Sequence, residues 1–415
     1  MTSQRSLVCW QGGAIFAAFA FNYFLSALLR AVIATLAPEF ARELQVGAGE
    51  LGLLAGAYFL GFACMQLPVG WLLDHHGARR VLLSFLVMAV LGCLGFALAR
   101  TFGQLVLARL LIGVGVSASL MAPLTAFVRL FNPLLQLRLN SWMLMSGSLG
   151  MVASTLPVQA LLPWLGWRNL FFWLTAALIV AWLAIAVATP PHRATADAVA
   201  HGRGGYARIV RQPVFVRMWP LACVTYGGLI AVQSLWAGPW LTHVVRVDAV
   251  QAAGGLFVIN LSMLASFMVW GLVMPRMAAR GIGPELLIRR GWPLGAAVMG
   301  AIIALGPAAG TFWLAMWCVC TSVITLSQPA VSQAFPKEEA GRALSALNLL
   351  VFIGVFVCQW GIGLAIDGLM VLGWERGHAH RAAMALLLLG MIAAGAWYSA
   401  HSWSEERARL AASRG

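Results

Sequence analysis

Few residues in this chain could do chemistry, and the most telling ones lie where polar groups are costly. Arg30 sits about eight residues, ~12 Å of helix, from the end of a long apolar stretch. No other charge is as deep. Asn22, Ser26 and Arg30 are spaced by four and share one helical face. A guanidinium offers a planar fork suited to carboxylate, phosphate or sulfate. An uncompensated charge at membrane depth is expensive, so Arg30 is expected to face protein or water. Two readings stay open for it: an anion clamp, or a structural arginine satisfied by backbone carbonyls or by a carboxylate such as Asp367. Arg109 is the weaker candidate, and a packing or snorkelling role is favoured for it. Further candidates for holding a substrate are Gln233 with Trp236, Asn348, Gln359 with Trp360, and Tyr58. A Trp beside a Gln can stack on and orient an organic solute, or the ring can simply fill the core.

No Asp or Glu lies in the middle of the apolar stretches. Glu39 and Asp367 fall at or near their ends, and are candidates for a structural or a proton-coupling role. Of the histidines, only His243 approaches an apolar stretch. No nucleophile–His–acid set, metal-ligand spacing or G-x-x-x-x-G-K-[ST] loop occurs, so neither an enzyme, a metal, a cofactor nor direct ATP drive is expected. The seven cysteines lie in or beside apolar stretches without a C-x-x-C pair, and read as packing residues.

A third cluster is Gly70-Trp-Leu-Leu-Asp74-His-His-Gly77-Ala-Arg79-Arg80, between apolar runs at 51–71 and 80–99. Two such runs joined so tightly make an antiparallel hairpin. Gly70 and Gly77 allow close approach or a sharp turn. Asp74 is the only acid among two histidines and two arginines. It could pair locally or reach a helix N-terminus. On residue chemistry alone, a charged turn that only fixes topology is the bland alternative.

The elements that must position these residues are transmembrane helices. The chain has 415 residues, 61% hydrophobic and 10% charged. A soluble domain carries about 25% charged residues. Twelve apolar stretches, each long enough to cross ~30 Å of hydrocarbon, fall at about 10–37, 51–71, 80–99, 104–130, 140–165, 168–189, 218–243, 252–274, 288–307, 310–334, 342–371 and 381–401. The first is too long for a cleaved signal. With the loops alternating, 19 of the 27 basic residues and seven of the 13 acids fall on one side. That bias places both termini in the cytoplasm. It also explains the net charge of +14 without a nucleic-acid partner, since the basic residues are split among short segments. Expected partners are the lipid bilayer and a small-molecule substrate, with the chain a monomer.

The longest gap, 190–217, opens Pro-Pro and is rich in Arg and Gly. It reads as a flexible cytoplasmic linker between an N-terminal half at 1–189 and a C-terminal half at 218–401, with a cytoplasmic tail at 402–415. Stretches 3, 6, 9 and 12 have no Asn, Gln or charge in their interiors, while every other stretch has at least one. That three-fold rhythm predicts which helices face lipid. Pro38 and Pro239 near the ends of stretches 1 and 7 are expected to break or kink those helices.

The loop pattern G-x-x-x-D-x-x-G-x-R-R is filled at every fixed position, and it resembles the signature loop between helices 2 and 3 of the major facilitator superfamily. Arg109-x-x-x-Gly113-x-Gly115 is similar to the family's helix 4 motif, with Ile112 where Gln is usual, and Gly166-Trp167-Arg168 is also common there. The resemblance implies an all-α membrane fold of two six-helix bundles working by alternating access. Helices 1, 4, 7 and 10 would line the cavity, 2, 5, 8 and 11 would flank it, and the other four would support it. It implies a cytoplasmic gate at Gly70, Asp74, Gly77, Arg79 and Arg80, and the inner membrane if the source is bacterial. The second-half counterpart is degraded, with Pro275 where the acid belongs. The Gly-Pro motif of drug/proton antiporters is absent from helix 5. A carrier of a small organic solute, anionic on the reading of Arg30, is therefore expected, a symporter with exchange and facilitated diffusion left open. Drug or metabolite efflux and a non-transporting sensor are the alternatives.

Overall fold

The computed structural model describes residues 9–131, 133–190 and 206–412. Among them every regular element is helical, as chains must be where no water is present to satisfy backbone groups. The first helix, α1, is Cys9–Glu43. Next, α2 is Ala48–Cys64 and Gln66–His76, bent by 44° at the break between them. Then α3 is Ala78–Leu98, and α4 is Phe102–Val116 continued by Met121–Leu130. The fifth, α5, is Pro133–Ala153 continued past Thr155 to Leu165, where Gly166 turns the chain into α6, which ends at Ala188. The second half supplies α7 (Pro213–Val245), α8 (Ala249–Ala279), α9 (Pro284–Leu305), α10 (Thr311–Gln333), α11 (Lys337–Val371) and α12 (Arg376–Ala412).

Local chemistry sets several of these starts. Thr101 and Gln104 form a reciprocal capping box at the start of α4. Asp248 accepts the Gln251 amide at the start of α8. Pro284 opens α9, where its missing N–H costs nothing. Proline does not end α1 as expected: the helix runs through Pro38 to Glu43. In α7, Pro239 sits between two of three π turns, Ala222–Tyr226, Val232–Trp236 and Leu241–Val245. The strain is spread as wide turns rather than as one kink. Of the expected linker, 206–210 is a helical turn and Pro213–Arg217 is already the start of α7; residues 191–205 lie outside the described residues.

The chain gathers into two compact units, Met1–Glu39 with Ala57–His201, and Phe40–Gly56 with Gly202–Gly415. The first half of α2 thus packs with the second unit. Burial is deepest in α1, α4 and α10 (67% of the apolar window) and α7 (56%), against 28–50% in the other spans that pass the same length and hydropathy test. The four helices expected to line the cavity are thus the most buried of these spans. The expected lipid-facing rhythm is less clean. α3 is half buried, whereas α8 at 28% is the most exposed. The reason for α3 is close packing on α4, where a side chain at Gly115 would run into the backbone of Ala89.

Candidate functional site

In the first unit the residues converge on α1. Asn22 and Ser26 are fully buried on one face. Neither polar atom of the Asn22 amide, nor the Ser26 hydroxyl, finds a partner among the described residues. Arg30, one turn on, hydrogen-bonds Tyr23, two turns back on the same helix, and its guanidinium lies 5.6 Å from the Phe62 ring of α2. Four side chains thus form one polar strip on a buried helix face, and two of them are wholly uncommitted. Tyr23 was visible as an i, i+7 neighbour of Arg30 but carries no signal by itself.

Tyr58, a candidate substrate contact, and Arg109, for which packing was favoured, are both engaged by α1 backbone carbonyls. The Tyr58 hydroxyl donates to the Ser26 carbonyl at 3.2 Å, and its ring is fully buried. Arg109 is also fully buried; it donates to the Leu29 carbonyl at 2.8 Å and sits 5.0 Å over the Tyr58 ring. Tyr58 and Arg109 thus tie α1, α2 and α4 together behind the polar strip. Both side chains are thereby engaged within the first unit.

In the second unit several polar groups pair with one another, although the buried hydroxyls of Thr225, Thr321 and Ser327 find no partner among the described residues. Gln233 donates to Asn260 at 2.9 Å, joining α7 to α8. Gln359 donates to Ser234 at 2.9 Å, and the Trp236 indole donates to the Gln359 carbonyl at 3.2 Å, joining α7 to α11. Gln328 donates to Asn348 at 2.9 Å, joining α10 to α11. Trp236 is fully buried. Trp360 is the exception, 37% exposed, with its ring beside Phe356. The wide turn at 232–236 presents Gln233, Ser234 and Trp236 to these partners together.

The loop at 70–80 is partly as expected. Gly77 has φ 77°, ψ 158°, a conformation essentially closed to other residues. It ends the second segment of α2 and starts α3. A side chain at Gly70 would meet open space, so the close approach expected there does not occur. Arg79 donates to the Ala186 carbonyl at 2.7 Å, placing a cation at the C-terminus of α6 where the helix dipole favours it. Asp74 and Arg80 are exposed.

At the opposite end of the helices, both oxygens of Asp367 are engaged by the start of α2. Oδ1 accepts the Ala48 amide at 2.9 Å and Oδ2 the Gly49 amide at 2.7 Å. Glu39 is half-buried. His380 went unnoticed in the sequence because it falls one residue before the expected twelfth stretch. It is 3% exposed, its ring centroid 5.2 Å from that of His243. The described cysteines are all free, and Cys64 is exposed rather than packed.

Residues 19–358 match the family model described as Major Facilitator Superfamily. The chain is 36% identical over 96 residues to the "Putative multidrug resistance protein MdtD" of Salmonella newport, and equally so to that of Salmonella typhi. That match spans 23% of this chain and 20% of the relative. Among solved structures, a bacterial homolog of the human lysosomal transporter Spinster superposes with TM-score 0.74 at 16% identity, covering 95% of this chain and 98% of that one. A D-xylose-proton symporter does so with TM-score 0.74 at 14% identity, covering 92% and 96%. These low identities speak to the fold alone, but the family model spans most of the sequence. A helical chain with this loop, these spans and this match belongs to the Major Facilitator Superfamily of membrane transporters.

Proposed function

We propose that the protein is a secondary transporter of a small organic anion, working by alternating access of an N-terminal bundle at 1–189 and a C-terminal bundle at 218–401. The observation that carries this reading is the strip on α1. Asn22 and Ser26 bring donors and acceptors that nothing among the described residues uses, and Arg30 lies one turn away. Leaving such groups buried and unmatched costs about 1–3 kcal/mol each, a cost a solute would relieve on binding. Arg30 sets the preference for an anion, and Trp360 supplies an exposed ring. The 70–80 loop acts as the cytoplasmic gate, with Asp74 and Arg80 available for exchange of partners and Arg79 anchored. The basic bias of the loops puts this end and both termini in the cytoplasm, the membrane being the inner one in a bacterium.

Export of drugs is the second reading, and the name of the relative over those 96 residues favours it. The missing Gly-Pro motif on α5 and the small polar strip favour the first. Flux in proteoliposomes, with solutes chosen by a thermal-shift screen of organic acids, amino acids, sugars and drugs, tests both. Saturable movement of an organic acid supports the proposal. Movement of cationic amphiphiles alone supports export, and no flux of any thermally stabilising solute contradicts transport.

A further inference from the structure

One end of the second unit encloses a cavity of about 550 Å³, separate from the α1 strip. Four helices wall it. α7 brings Arg217, and α9 brings Glu285 and Arg289, four residues apart and so on one face. α10 ends there on Gln333, and α12 brings Tyr398 and Ser402, again four apart. The rest of the wall is small or apolar. Arg217 is 5% exposed and donates to the Glu285 carboxylate. The Tyr398 hydroxyl donates to the Glu285 carbonyl at 3.1 Å, and the Ser402 hydroxyl to the Tyr398 carbonyl at 2.8 Å. These bonds tie the walls together and leave the volume between them open.

Two guanidinium groups against one carboxylate give the cavity a net positive charge, since no other acid lines it. The positive end of the α9 dipole, at Gly283 and Pro284 in the same wall, adds to that charge. A guanidinium meets a phosphate with two parallel hydrogen bonds. The cavity also has an apolar approach. Leu386, Leu389, Ala393 and Trp397 share one exposed face of α12, and that face runs up to the residue before Tyr398. The Trp397 indole donates to the Val216 carbonyl at 3.1 Å, next to Arg217, and Trp219 is likewise exposed. Exposed tryptophans at the ends of transmembrane helices sit at headgroup level. A molecule that matches both parts carries a phosphate at one end and hydrocarbon at the other.

We propose that this cavity binds the phosphate of an anionic phospholipid, with Arg217 and Arg289 holding the headgroup and the exposed face of α12 taking an acyl chain. Basic pockets between transmembrane helices suit such headgroups. A positive cavity favours a lipid of net negative charge over one whose choline cancels its phosphate. Glu285 moderates that preference by its pairing with Arg217. The site depends neither on which solute the α1 strip takes nor on transport.

Native mass spectrometry of the intact, delipidated protein tests this. It is titrated with dioctanoyl phosphatidylglycerol, with dioctanoyl phosphatidylcholine, and with glycerol phosphate as the headgroup alone. The wild type is expected to take phosphatidylglycerol about tenfold or more tighter than phosphatidylcholine, the difference expected for one charge-assisted hydrogen bond. Arg289→Gln should remove most of that preference. Glu285→Gln, which takes away the acid, should raise it by about threefold. Gln333→Glu adds an acid at an exposed position and should weaken the preference with the melting temperature unchanged, so it decides the matter if an arginine variant misfolds. Equal binding of the two lipids, or a preference untouched in both Arg289→Gln and Gln333→Glu, overturns the proposal. Glycerol phosphate that displaces phosphatidylglycerol at a similar concentration assigns the cavity to soluble phosphate esters and overturns the lipid as its occupant.

Discussion

The polar residues of α1 and those of α7 and α11 look alike in the sequence and behave oppositely in the structure. Asn22, Ser26, Gln233, Asn348 and Gln359 are all isolated polar side chains in apolar helices. In the second unit they meet in pairs: Gln233 with Asn260, Gln359 with Ser234, Gln328 with Asn348. On α1, Asn22 and Ser26 meet no polar partner among the described residues. Interhelical hydrogen bonds hold helices together in lipid, whereas buried groups left unmatched call for another purpose. The proposed reading therefore gives recognition to the α1 strip and cohesion to the paired groups of the second unit.

That contrast can be broken by substitution. The largest effect is expected at Arg30: Arg30→Ala should abolish flux while the protein still reaches the membrane, and Arg30→Lys should retain part of it. Wild-type flux in the Ala variant would remove the anion clamp. Next, Asn22→Leu and Gln359→Leu should part company. The first should cut flux at least tenfold with little change in melting temperature, since no hydrogen bond to a described residue is lost. The second should leave Ser234 and lower stability by roughly 0.5–2 kcal/mol, with flux reduced only in proportion to folded protein. Equal destabilisation by the two would erase the distinction.

A smaller effect is expected at the gate loop. Gly77→Ala forces a side chain into a glycine-only conformation and should cost about 1–3 kcal/mol, read as a lower melting temperature. Gly70→Ala, in open space, should be almost silent in stability. Smallest of all in stability is Asp74→Asn, because Asp74 is exposed. Its effect, if the loop is a gate, appears in flux and not in melting.

Much of the fold was legible because it rests on periodicity and length. Apolar runs and the filled loop pattern are sufficient for twelve helices, and the family resemblance, not the polar residues alone, singled out α1, α4, α7 and α10. The helix ends were less legible. Proline was weighted as a breaker at Pro38 and Pro239, but helices in lipid retain their backbone bonds by widening or continuing. Side-chain partners were not legible at all. Nothing in the spacing of Tyr58 says that its hydroxyl goes to the Ser26 carbonyl, or that Asp367 caps a helix from the other half of the chain. These depend on which faces meet, and one sequence does not contain that. His380 was lost because the twelfth helix starts at Arg376, five residues before the expected stretch.

The central claim is that the α1 strip holds the solute, and thermal stabilisation by ligand tests it most directly. A solute that raises the melting temperature of the wild-type protein should fail to do so in Asn22→Leu and Arg30→Ala, and should still do so in Gln233→Leu measured from its own lower baseline. Undiminished stabilisation of the two α1 variants, with the response lost in Gln233→Leu instead, would contradict the account.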